Sequence, residues 1–244
     1  MHLHPIVDDT KMSQFPAIQS LSVVRVIDVV FACVGLVVLS PLLVLIMVAI
    51  VIDTGFPVFF AQTRIAQGGR TFRMYKFRKF HPTSPGGSPL TMKHDSRMTR
   101  IGGILASTKL DELPQLLNII RGDMAIVGPR PESMALADAF TARELALLQY
   151  RPGIFGPSQV AFRNECCLYP AGKDPVQFYR ETLFPAKAAL DLEYYSRRTV
   201  WADILWIGRG ILAVFGKVPE FELMPAASDA YDCARKLDIV IAGQ

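Results

Sequence analysis

The run VIDVVFACVGLVVLSPLLVLIMVAIVI, residues 26–52, decides the architecture. Its 27 residues carry one charge, Asp28, and at 1.5 Å per residue they reach across a bilayer as one helix. Pro41 argues against a straight helix, because it removes a backbone donor and clashes with the carbonyl four residues earlier. Ser40 can return a hydroxyl to the carbonyl so freed. The halves on either side of Ser40-Pro41 are each too short to span. A core helix of a soluble domain is disfavoured, since such helices seldom stay apolar on every face for so long. A spanning helix and a re-entrant hairpin remain. Arg25 precedes the run, Asp53 closes it, and Arg64, Arg70, Arg73, Lys76, Arg78 and Lys79 then follow with no further acidic residue before Asp95. The positive-inside bias puts the following segment in the cytoplasm. A hairpin would also keep Arg25 and Asp28 at that interface. The expectation is a re-entrant membrane helix over residues 21–53, broken at Ser40-Pro41.

Outward from the run, residues 1–20 are polar with Pro5 and Pro16 and read as a loose arm. They lack the basic start, short apolar core and small-residue site of a cleaved signal peptide. Residues 54–217 read as a small, helix-rich α/β cytosolic domain and 218–244 as a C-terminal tail. Short strands are expected at Val58–Gln62 and Thr71–Phe77 around a Gly68-Gly69 turn. His81–Pro89 is a Pro/Gly/Ser loop. Helices are expected at Leu110–Arg121 and at Ala135–Leu148, the latter with Leu136, Phe140 and Leu147 near one face. Thr199–Phe215, near Arg197, Arg198 and Arg209, reads equally as core or as an interfacial helix. The chain is 51% hydrophobic, with mean hydropathy +0.29 and net charge +4, which suits an anionic partner such as a membrane surface, nucleic acid or phosphorylated substrate. Cys33, Cys166, Cys167 and Cys233 form neither a zinc pattern nor a disulfide framework and fit a reducing compartment.

The chemistry centres on LDELPQL, residues 110–116. Proline is accepted in a first helical turn, so Pro114 puts Asp111 and Glu112 at a helix N-terminus. A carboxylate there stays ionised, as a nucleophile must, and the free N–H groups can hold a phosphate. A plain cap is the simpler reading of that motif taken alone. Adjacent helical residues diverge by about 100°, so the pair is a poor glycosidase site. Several arginines nearby point to a diphosphate. Gly128-Pro129-Arg130-Pro131 is stiff and presents one planar guanidinium fork, and Arg151-Pro152-Gly153 presents another. In Tyr75-Lys76-Phe77-Arg78 the two cations share a strand face.

Together these segments resemble the bacterial sugar transferases, the monotopic phosphoglycosyl transferases of the small, minimal type, from about Ser22 to Phe215. The likeness is carried in order by Arg25-Val26-Ile27-Asp28, Ser40-Pro41, Lys76-Phe77-Arg78, DSRMTRIG (95–102), LDELPQL, GDMAIVGPRPE (122–132), Arg151-Pro152-Gly153 and LDLEY (190–194). The resemblance implies a membrane helix broken at Ser-Pro and a catalytic Asp111-Glu112 dyad. Asp111 would take the phosphosugar of a UDP-sugar covalently, release UMP and pass the phosphosugar to polyprenyl phosphate. Magnesium is the implied cofactor, with Glu112 a candidate ligand. Substrate-binding candidates are Lys76, Arg78, Pro129, Arg130, Arg151, Gln159, Arg163 and Asp191. The implied location is the inner membrane, with the domain on the cytoplasmic face among membrane lipid, starting assembly of a glycan. Nucleic acid is not an implied partner, and a homodimer is left open.

Three departures from the family pattern stand out. Ala106 lies where many members carry arginine, with Lys109 and Arg100 as candidate substitutes. Phe155-Gly156-Pro157-Ser158-Gln159, then Phe162-Arg163-Asn164-Glu165, replaces a common Thr-Gly and tryptophan pattern, which bears on the donor sugar. The multi-helix N-terminal domain of larger members is not seen in this chain. Two other classes compete: an impaired enzyme serving as a pathway scaffold, against which the intact dyad speaks, and a membrane-tethered nucleic-acid binder, in which the carboxylates have no role.

Overall fold

The computed structural model describes residues 22–82, 90–92, 95–170 and 172–214. The expected arm (1–20), most of the loop at 81–89 and the tail (218–244) lie outside the described residues, as does Cys233. The apolar run forms two helices, α1 (Ser22–Val38) and α2 (Ser40–Thr54), bent by 61°. The bend has the expected cause. Pro41 has no N–H for the carbonyl of Val37, and the Ser40 hydroxyl donates to that oxygen instead, at 2.7 Å. Among the described residues no single helix is long and apolar enough to cross a membrane, but the bent pair together passes that test.

Both ends of the pair return to the same globule. At the start, Arg25 donates to the Ile120 carbonyl at 3.1 Å and buried Asp28 accepts the Ile126 N–H at 3.1 Å. At the far end, Asp53 accepts the Ile101 N–H at 3.3 Å, and Arg78 donates to Thr54 Oγ1 (2.5 Å) and the Gly55 carbonyl (2.7 Å). Between these anchors Val26, Val30, Val34, Val37, Val44, Leu45 and Ile52 are exposed. A straight span of this length would carry its two ends to opposite faces of a bilayer.

Strands β1 (Phe59–Ile65) and β2 (Thr71–Phe77) pair antiparallel, Phe59 opposite Phe77 and Ile65 opposite Thr71. β1 extends three residues past its expected end, because the pairing continues to the tight Gln67–Gly69 turn, where Gly68 has φ 72°. α3 (Arg100–Thr108) is capped by Thr99, and a Cβ on its Gly102 would overlap the Lys79 carbonyl. α4 (Gln115–Arg121) leads to β3 (Ala125–Val127), which pairs parallel with β4 (Gly153–Phe155). α5 (Pro157–Ala161), α6 (Pro175–Phe178), a π turn (Tyr179–Leu183), α7 (Phe184–Ser196) and α8 (Val200–Val214) follow. Ala32 of α1 is fully buried against a core of Leu116, Ile119, Met124, Ile126 and Val127. The chain is thus helix-rich α/β with two small sheets.

Two expected helices differ. Leu110–Arg121 is not continuous: Leu110–Glu112 forms a 3₁₀ turn and α4 starts at Gln115. Pro114 cannot donate to Leu110, so the ladder tightens to three-residue spacing, with Leu113 N–H on Leu110 O and Leu117 N–H on Pro114 O. Ala135–Leu148 is two 3₁₀ segments, Met134–Ala139 and Glu144–Gln149. Between them the Glu144 carboxylate takes the Thr141 N–H at 3.0 Å, a local side-chain bond that competes with a helical one. α8 combines both readings offered for it. Trp206, Gly210 and Ala213 are buried, while Trp201, Ile204, Leu205 and Leu212 are exposed.

Candidate active site

The 3₁₀ turn between α3 and α4 presents the two carboxylates. Asp111 is only 2% exposed, and its Oδ1 has no partner among the described residues. Its Oδ2 lies 3.7 Å from Lys79 Nζ. Glu112 Oε1 accepts from Lys76 Nζ at 2.8 Å and lies 3.7 Å from a terminal nitrogen of Arg130. β2 delivers Lys76, the segment after it delivers Lys79, and the proline-flanked loop after β3 delivers Arg130. Tight apposition of β3 and β4 fixes that loop: a Cβ on Gly128 or on Gly153 would overlap the other strand's backbone. Gln159 reinforces it by donating to the carbonyls of Gly128 (2.8 Å) and Gly153 (3.2 Å).

The electrostatics follow from crowding. Burial pushes the Glu112 carboxyl up, but Lys76, Arg130 and Lys109 outweigh it and hold it well below the usual range. Burial pushes Lys76 down to about 8, against the pull of Glu112 and Asp111. Burial would also lower Arg130, but Glu112, Glu165 and Glu132 overcome it and keep the guanidinium firmly charged. Beneath Arg130 runs a buried polar network. Tyr179 donates to Glu132 (2.7 Å) and accepts from Lys187 (3.0 Å), which pairs with Glu165 (2.8 Å).

Lys76 and Arg130 therefore join Asp111 and Glu112, with Pro129 in the supporting loop. Other candidates sit elsewhere. Arg78 does not share the Lys76 face: β2 ends at Phe77, and the buried Arg78 side chain turns to Thr54 and Gly55 at the end of α2. Replacing Arg78 by Met should therefore cost stability, about 2 kcal/mol for the lost charged bonds, with little change in apparent substrate affinity. Thermal unfolding alongside substrate titration checks this. Arg151 feels Arg25, Asp28 and Arg70, which places it toward the start of α1. Asp191 is buried, pushed up to about 7 by burial against two bonds from Ser158, whose N–H and hydroxyl it accepts at 3.0 and 2.8 Å at the start of α5. Arg163 donates to the carbonyls of Ser107 (2.9 Å) and Val214 (3.2 Å) and is within electrostatic range of Glu112.

Sequence reasoning did not single out Lys79 or the Lys187-Glu165-Tyr179 network as site residues. The Lys-Phe-Arg-Lys spacing was the available signal for Lys79: once the strand ends at Phe77, it is Lys79 rather than Arg78 that rejoins Lys76. The network had none, since its members are scattered over 56 positions from Glu132 to Lys187.

This arrangement, a carboxylate pair ringed by cations beside a bent pair of apolar helices, coincides with a match to the model of the bacterial sugar transferases over residues 19–217. The chain belongs to that family. It is 37% identical over 184 residues to a UDP-glucose:undecaprenyl-phosphate glucose-1-phosphate transferase of Caulobacter vibrioides, covering 74% of this chain and 65% of that one. It is 34% identical over 200 residues to a UDP-N-acetylgalactosamine-undecaprenyl-phosphate N-acetylgalactosaminephosphotransferase of Aeromonas hydrophila, covering 79% and 44%. The exopolysaccharide production protein ExoY of Rhizobium meliloti is 31% identical over 206 residues, covering 78% and 84%. The chain thus spans less than two thirds of the first two relatives. In this sugar transferase family chain, the neighbour of Ala106, Ser107, receives the Arg163 guanidinium on its carbonyl, while Lys109 lies within electrostatic range of both carboxylates.

Proposed function

We propose that this chain transfers a phosphosugar from a UDP-sugar to a polyprenyl phosphate, undecaprenyl phosphate by analogy with its relatives, starting assembly of a membrane-bound glycan such as an exopolysaccharide. The observation that carries the reading is the buried Asp111, with an oxygen that has no partner, set among Lys76, Lys79 and Arg130. An Asp111 carboxylate oxygen attacks the β-phosphorus of the donor. The bond from that phosphorus to the bridging oxygen breaks, and UMP leaves with the electron pair. A phosphate oxygen of the lipid then attacks the same phosphorus, breaks the acyl-phosphate bond and restores Asp111, giving the lipid diphosphate sugar. The cations hold both phosphates against the carboxylate.

Magnesium fits these residues. Both cations on Glu112 address Oε1, which leaves Oε2 with no partner among the described residues, and magnesium takes one or two carboxylates with phosphate and water completing its shell. No group of three or more His, Cys, Asp or Glu that could hold a metal occurs among the described residues, so the substrate phosphates would supply the rest. When bound, the ion would screen the diphosphate from the carboxylates. A Glu112 carboxyl held this low is a poor proton acceptor, which favours metal binding over proton handling for it.

In the same reading α1 and α2 form a re-entrant hairpin in the inner membrane, with the domain on the cytoplasmic face. Support comes from the anchors at both ends, the exposed valines between them and the apolar outer face of α8. Cysteines introduced at Ser20 and Phe56 in a cysteine-free background should both react only from the cytoplasm. Periplasmic labelling at position 20 would mean a spanning helix. Pro41→Ala should shift labelling that way, since it relieves a clash on the order of 3 kcal/mol. The activity is tested by screening UDP-sugars with undecaprenyl phosphate and magnesium for UMP release. Silence with every donor would favour the scaffold reading.

A further inference from the structure

Lys109 takes no part in the chemistry above, yet it immediately precedes the turn that carries the dyad. It is the one non-glycine residue with positive φ among the described residues, at φ 62° and ψ 14°. This left-handed conformation ends α3 and opens the Leu110–Glu112 turn, a place where glycine fits without steric cost. A lysine there is held against its backbone preference. Its side chain is half-buried, and burial pulls its pKa down, with Glu112 opposing and Arg130 adding to the fall. Lys76, Lys79 and Arg130 each pair with Asp111 or Glu112. Among the described residues the Lys109 ammonium makes no hydrogen bond and no ion pair within 4 Å, although its backbone carbonyl accepts the Glu112 N–H. The four cations exceed the two carboxylates by two charges, and Lys109 is the one of the four that pairs with neither carboxylate.

Its surroundings say from which side an anion would come. The next residue, Leu110, and Leu113 pack against the cluster that Ile46 and Ile50 of α2 form with Phe77 and Leu105. Lys109 therefore sits where the dyad meets the apolar hairpin. A phosphate monoester whose hydrocarbon tail runs beside α2 meets this ammonium as it approaches Asp111. A nucleotide diphosphate carries no apolar tail to match that flank. We propose that Lys109 binds the phosphate of the lipid acceptor. The assignment rests on the transferase reading given above.

The test is steady-state kinetics on the full chain in lipid nanodiscs, with undecaprenyl phosphate and the UDP-sugar that the wild-type protein accepts. Lys109→Gly removes the cation while keeping the left-handed backbone, and Lys109→Asn does the same with a side chain that tolerates it. Lys109→Arg keeps the charge. KM for undecaprenyl phosphate should rise on the order of tenfold in the Gly and Asn variants, as expected for one lost charge-assisted hydrogen bond. KM for the UDP-sugar should stay within about twofold, and Arg should recover most of the acceptor affinity. An unchanged acceptor KM, or an equal rise in donor KM, overturns the assignment while leaving the transferase reading intact. A wild-type protein that releases no UMP with any UDP-sugar overturns both.

Discussion

Asp111→Asn should abolish turnover, by about 10⁴-fold or more, while the protein still folds. The amide has nearly the shape of the carboxylate, so the 3₁₀ turn and the packing of Leu110 and Leu113 persist. What is lost, on the proposed mechanism, is the attacking oxygen. Glu112 is committed to neutralising Lys76 and Arg130 and is not expected to replace it. Glu112→Gln should also impair turnover, as it removes the charge that neutralises Lys76. UMP release at saturating substrates measures both, and circular dichroism reports the fold. Near-wild-type turnover in Asp111→Asn would remove Asp111 from the chemistry.

Lys76→Met should lower kcat/KM for the donor about 100-fold and cost about 3 kcal/mol of stability. Glu112 and Lys76 are 14% and 12% exposed, so removing one partner leaves a charge largely out of water, with Arg130 at 3.7 Å as partial compensation. The same residue predicts a pH limb. Burial lowers Lys76 to about 8, so the cation is complete below that pH and is lost as pH rises through it. kcat/KM should therefore fall about tenfold per pH unit above about 8. Lys76→Arg should carry the limb out of the accessible range, because guanidinium does not titrate there. A limb unmoved in Lys76→Arg would assign it to another group.

Much of this was legible in the sequence because local chemistry dictated it. Pro41 and Ser40 determined both the bend and the bond that heals it. The dyad and the Gly-Pro-Arg-Pro loop were readable as a pair of carboxylates facing a rigid guanidinium. Reading failed where the backbone departs from regular periodicity. Strand parity put Arg78 beside Lys76, but the strand stops one residue short of Arg78 and the side chain joins α2 instead. The apolar spacing of 135–148 suggested a helix, and the Thr141–Glu144 bond interrupts it. The bonds of Gln159 to the Gly128 and Gly153 carbonyls and of Asp191 to Ser158 were equally unreadable. Tertiary partners of this kind, tens of residues away in sequence, leave no local mark.

The central claim is a covalent phosphosugar on Asp111. The most direct measurement is to incubate the wild-type protein with labelled UDP-sugar and magnesium without acceptor, then digest it and map the mass of each peptide. The account predicts a phosphosugar on the peptide that contains Asp111, lost on adding undecaprenyl phosphate and absent from Asp111→Asn, with ping-pong kinetics in the full reaction. An adduct on another residue, or no adduct together with sequential kinetics, would contradict it.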